Sequence, residues 1–126
     1  MSITMRTSMI SRVAVSVLAA LSLTTFADAH AMLDKASPAV GSTVASAPRA
    51  VSLTFTEKVE GAFSTIRVEN ASGARVDTGK AQVEGGRNVL RVNLKSLEPG
   101  TYKVTWKVLS VDTHRTEGSF TFTVGR

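Results

Sequence analysis

The chain has 126 residues, with 15 Lys and Arg against 10 Asp and Glu, a formal charge of +5, two His and no Cys. That length holds one domain of ordinary size and excludes a multidomain enzyme, a TIM barrel and a complete dinucleotide-binding fold. Without Cys there is no disulfide framework, thiolate metal site or cysteine nucleophile, so a transition metal would have to use His, carboxylate, Met or backbone nitrogen.

The first 29 residues read as a secretory leader. Arg6 and Arg12 lead into an apolar run from Val13 to Leu23, and Ala27-Asp28-Ala29 supplies a small-x-small cleavage pattern. The run is too short to span a bilayer, which takes about 20 apolar residues. Ala29-His30-Ala31 fits the same pattern, so two cuts compete. One leaves His30 as the first residue and the other discards it. The predicted organisation is a removed leader over 1–29 and a single exported domain over 30–126. Arg6, Arg12 and Asp28 leave with the leader, which lowers the formal charge from +5 to +4. The remaining basic residues are scattered and many alternate with apolar ones, as on a solvated strand face. Neither nucleic-acid binding nor membrane insertion of the mature domain is expected.

From there on, period-2 alternation dominates. Val51, Leu53 and Phe55 alternate with Ser52, Thr54 and Thr56. Ile66 and Val68 alternate with Arg67 and Glu69. The same pattern runs through Leu90–Lys95, Tyr102–Val108 and Ser119–Val124. Each run has one apolar and one polar face, so each covers a shared core on one side. Turn signals at Ser37-Pro38, Val40-Gly41-Ser42, Ala47-Pro48, Asn70–Gly73, Glu84–Gly86 and Glu98–Gly100 separate the runs. Weaker strands are predicted near Ala31–Ala36 and Arg75–Val83. No segment shows helical periodicity. About seven short strands imply an all-β Greek-key sandwich or barrel with immunoglobulin-like topology. Trp106, at an inward position, reads as a core anchor.

Few residues can carry chemistry. His30 and His114 are the two histidines, and His114 closes Ser110-Val111-Asp112-Thr113-His114, between the last two strong strands. As a first residue His30 would offer two nitrogens to one metal, its α-amine and its imidazole Nδ1. The amine has a reference pKa of about 7.7–8.0, so a divalent ion can displace its proton near neutral pH. His114 can add a third nitrogen. Asp112 lies two positions earlier, on the same side of an extended segment, where its carboxylate can be a fourth ligand or hold a bound water. Three nitrogens and an oxygen suit a tetragonal ion. Cu(II) fits that geometry and tops the affinity order, with zinc and nickel weaker. Cu(I) prefers sulfur, and Met32 is the one Met after the leader. The same residues also admit a plainer reading, a surface His in a loop with an Asx-type turn before it.

His30-Ala31-Met32-Leu33, Ala36-Ser37-Pro38-Ala39-x-Gly41-Ser42, Leu53-x-Phe55-Thr56-Glu57, Gly100-Thr101-Tyr102-x-Val104-x-Trp106-x-Val108, Ser110-x-Asp112-x-His114 and Gly118-x-Phe120-x-Phe122 together resemble the periplasmic copper resistance protein CopC family. These motifs span nearly all of the mature chain in order. The resemblance implies a cupredoxin-like Greek-key barrel that is not an enzyme and binds one Cu(II) per chain through His30, Asp112 and His114. It places Glu57 beside that site, in contact with the ligands or a bound water. It implies maturation to an N-terminal His. It also implies a carrier or buffer in copper resistance that passes copper to a CopD-type inner-membrane protein; a monomer is expected. Some members bind Cu(I) through a Met-rich loop, but the matching region, 70–88, has neither Met nor His, which points to the Cu(II)-only subtype. Family members often have Pro after the metal-binding His; here Arg115 stands there, adding positive charge beside the ion.

Two other functions are open to the same residues. One is a copper-dependent oxidative enzyme built on an N-terminal His chelate, a superficial similarity to lytic polysaccharide monooxygenases. Scarce, inward-facing aromatics and a carboxylate at the position oxygen would need both weigh against it. The other is a metal-free immunoglobulin-like interaction module, whose stability Cu(II) would leave unchanged.

Overall fold

In a computed structural model, which describes residues 31–126, the alternation decides which faces meet. Eight strands form: β1 (Leu33–Ser37), β2 (Thr43–Val44), β3 (Ala50–Phe55), β4 (Thr65–Glu69), β5 (Gln82–Glu84), β6 (Val89–Asn93), β7 (Gly100–Leu109) and β8 (Arg115–Val124). Two single 3-10 turns, Gly61–Phe63 and Gly85–Arg87, are the helical elements among the described residues. None of these is long and apolar enough to cross a membrane. One sheet has the order β1-β3-β6-β5 and the other β2-β8-β7-β4. Every pairing is antiparallel except β2 with β8, which is parallel.

The inward residues are those the alternation singles out. Val51, Leu53 and Phe55 of β3, Ile66 and Val68 of β4, Leu90 and Val92 of β6, Tyr102, Val104, Trp106 and Val108 of β7, and Phe120, Phe122 and Val124 of β8 are buried between the sheets. Each large apolar side chain removed from water in this way contributes about 1.5–3 kcal/mol before entropy is charged against it. Trp106 is the anchor its position predicts. Its indole meets the Phe55 ring edge-on, with centroids 5.1 Å apart. Gly118 lies opposite Trp106 in the β7–β8 register. A Cβ there would sit 2.6 Å from Trp106 Cζ2, so this glycine makes room for the indole.

The strand count is eight rather than about seven, because β2 pairs Thr43 and Val44 with Thr123 and Val124. A two-residue strand is too short to show a period. The weak strand expected at 75–83 is also narrower than predicted: β5 is confined to Gln82–Glu84 and takes in Glu84, which the turn pattern claimed. Arg75 and Asp77 instead make single bridges, to Glu69 and Leu94. The cause is Asp77, whose buried carboxylate accepts a hydrogen bond from the Val68 N–H at 2.8 Å and ion-pairs with Arg75 at 2.9 Å. A side chain thus takes the place of a strand partner there.

Candidate metal centre

β7 and β8 form a ten-pair ladder from Gly100–Val124 to Leu109–Arg115. Its connecting loop, residues 110–114, leaves one end of the sandwich. The Ser110 N–H donates to the His114 carbonyl at 2.9 Å and the Thr113 N–H to the Ser110 carbonyl at 2.8 Å. Thr113 takes a left-handed conformation, φ 74°. That tight path brings Asp112 and His114 together, with His114 Nδ1 3.3 Å from Asp112 Oδ1 and both side chains largely exposed.

Beneath them lies Ser110, fully buried. It continues the inward parity of Tyr102, Val104, Trp106 and Val108. Its hydroxyl donates a hydrogen bond to Asp112 Oδ1 and accepts one from the His114 N–H at 3.3 Å. The Ser110 bond holds the Asp112 carboxyl below the ordinary carboxylate range. Partial desolvation opposes this and the His114 side chain adds to it. Asp112 is therefore a preformed anion beside an imidazole, a pair suited to a divalent cation. The sequence showed Ser110 only as a motif letter. Its signal was a small polar residue where the alternation calls for an apolar one.

The start of the described chain is fastened to the same end. Ala31 is fully buried. Its carbonyl accepts a hydrogen bond from the Thr116 hydroxyl at 2.7 Å, two residues beyond His114. Met32 exchanges bonds with Thr56, its N–H donating to Thr56 Oγ1 at 3.0 Å and its carbonyl accepting from the Thr56 N–H at 2.9 Å. β3 ends at this edge of the fold, and the Val111 N–H reaches the Lys58 carbonyl at 3.0 Å. Glu57 lies exposed in the turn between Thr56 and Lys58.

Of the four residues singled out from sequence, the structure joins Asp112 and His114. Glu57 occupies the same end without joining them: among the described residues no three His, Cys, Asp or Glu side chains gather closely enough to hold a metal. His30, and the leader over 1–29, lie outside the described residues.

This is an all-β protein of two four-stranded sheets with a carboxylate–imidazole pair on a hairpin loop. Residues 33–125 match the CopC domain, and the chain belongs to the CopC family, which consists of copper-resistance proteins rather than enzymes. Protein YobA of Escherichia coli K12 is 36% identical over 115 residues, 90% of this chain and 93% of its own. The crystal structure of CopC from Methylosinus trichosporium OB3b superposes with a TM-score of 0.72 at 35% identity, covering 76% of this chain and 94% of that one. PcoC, a methionine-rich copper resistance protein from Escherichia coli, gives a TM-score of 0.68 at 31% identity, over 76% of this chain and 99% of its own.

Proposed function

We propose that the chain is a periplasmic Cu(II) carrier or buffer in copper resistance, of the Cu(II)-only subtype. It is exported by a leader cut after Ala29. The ion it carries is held by the α-amine and imidazole of His30 together with Asp112 and His114. Glu57 acts from the neighbouring turn on the ligands or on a bound water.

One observation carries this reading. The preformed Asp112–His114 pair stands on the strand end whose Thr116 hydroxyl grips the Ala31 carbonyl. His30, the residue before Ala31 in the sequence, is taken as the ligand that joins the pair at this end. Family membership adds the copper role of the relatives. Asp112 and His114 supply one oxygen and one nitrogen, and the remaining two nitrogens are assigned to His30. Delivery to a CopD-type inner-membrane protein, and action as a monomer, belong to the same proposal.

The test is the intact mass of the exported protein together with electron paramagnetic resonance after Cu(II) addition. A chain starting at His30 with a spectrum of three nitrogens is expected. One extra residue before His30 turns its amine into an amide and should weaken Cu(II) binding by orders of magnitude. Equally tight binding by the extended form would sink the ligand set.

A further inference from the structure

β3 runs from Ala50 to Phe55, the end that carries the metal loop, and β6 runs back from Val89 to Asn93. At the opposite end of this pair, about 20 Å away at about 3.4 Å per residue, lies a cleft of about 630 Å³. Arg49, Arg91 and Lys95 line it together with Asn93, and Leu94 and Leu97 supply an apolar wall. The backbone fixes the arrangement. Ala50 pairs with Asn93, Ser52 pairs with Arg91, and the Leu94 N–H donates to the Arg49 carbonyl at 2.9 Å.

No carboxylate lines the cleft. Its three cations make no ion pair among the described residues, whereas Arg67, Arg75 and Arg87 are paired with Glu69, Asp77 and Glu60. The contrast is sharpest with a second cleft, on the other sheet. There Arg67, Arg75 and Lys107 also gather, but Glu69 lines it with them and Asp77 binds Arg75. The first cleft is lined by like charges that no carboxylate among the described residues balances.

We infer that the cleft between Arg49, Arg91 and Lys95 is a binding site for an organic phosphate ester. Two guanidinium forks match phosphate oxygens bidentately and the ammonium adds a point charge. The volume falls within the range of small-molecule sites and exceeds what a bare phosphate needs. Leu94 and Leu97 give the carbon part of the ester an apolar surface. This inference does not depend on the copper reading, since the cleft shares no residue with the metal loop.

Amide shifts of the exported protein, followed by nuclear magnetic resonance at constant ionic strength, test it. The probes are glycerol 3-phosphate, inorganic phosphate, and vesicles of phosphatidylglycerol against phosphatidylcholine. Glycerol 3-phosphate is expected to give saturable shifts confined to 49–52 and 91–97, with inorganic phosphate weaker. Saturation by glycerol 3-phosphate identifies a soluble ester. Saturation by phosphatidylglycerol vesicles alone identifies a lipid headgroup, with the same chemistry. Arg49→Gln with Arg91→Gln should weaken binding by about tenfold or more. Lys95→Gln, at an exposed position, provides the same comparison should the double variant fail to fold. Absence of saturation with every probe overturns the inference. So do shifts that sodium chloride reproduces, shifts spread equally over the Lys103 and Lys107 face, or shifts that survive the substitutions.

Discussion

Ser110 shows how much one hydroxyl can organise. It lies under the loop, fully buried, and it touches both the Asp112 carboxylate and the His114 main chain. Residues that orient metal ligands from behind commonly cost 10–100-fold in affinity when removed. Ser110→Ala should therefore weaken Cu(II) binding by about that factor and alter the paramagnetic resonance spectrum, while Ser110→Thr retains both. A loss of thermal stability with unchanged copper affinity would reduce Ser110 to a packing role. The Asp112–His114 pair was legible in the sequence because histidines are so scarce that the second one, with an acid two residues before it, stands out. Ser110 was not legible as a support, because its work depends on a loop path that brings residue 114 back over residue 110. The phosphate cleft was equally hidden, because Arg49 and Arg91 become neighbours only through the β3–β6 register.

At the scale of elements, the β7–β8 ladder and the bridge at Asp77 each make a prediction. Gly118 faces Trp106, and an added Cβ would meet the rigid indole at 2.6 Å. Gly118→Ala should destabilise the fold by about 1–3 kcal/mol, the usual cost of overpacking, read from urea midpoints. An unchanged midpoint would mean that the indole shifts freely. For Asp77, burial works to raise the carboxyl's pKa. The Arg75 hydrogen bond, the Val68 N–H, the Arg75 charge and the Gly79 N–H outweigh burial and hold it below the ordinary range. A value lower in the folded state than in the unfolded one stabilises the chain above about pH 4. That contribution fades as pH falls from about 4 through the lower folded value. Asp77→Asn should remove this acid-limb slope from a plot of stability against pH; an identical slope would assign the acid sensitivity elsewhere. The long alternating strands were legible because each has one wet and one dry face. The segment around Arg75 and Asp77 was not, since a carboxylate rather than a backbone partner holds it.

The whole molecule separates its chemistry by distance, with the carboxylate–imidazole loop at one end of the sandwich and the unbalanced cations at the other. A ligand that binds only the folded form stabilises it by mass action, by about 2.7 kcal/mol at a hundredfold excess over Kd, and so raises the melting temperature. Cu(II) should shift the melting curve of the chain beginning at His30 and leave that of His114→Ala nearly unmoved; equal shifts in both would place the ion elsewhere. The hydrogen bonds around Val68 have one more consequence. Its N–H is taken by Asp77 and its carbonyl by the Val76 N–H, on the side of β4 turned away from β7. Exposed strand margins invite foreign chains to zip on, the first step of cross-β polymerisation. At Val68 both docking points are already filled by the chain's own groups, so this stretch of the β4 margin is closed to a foreign strand.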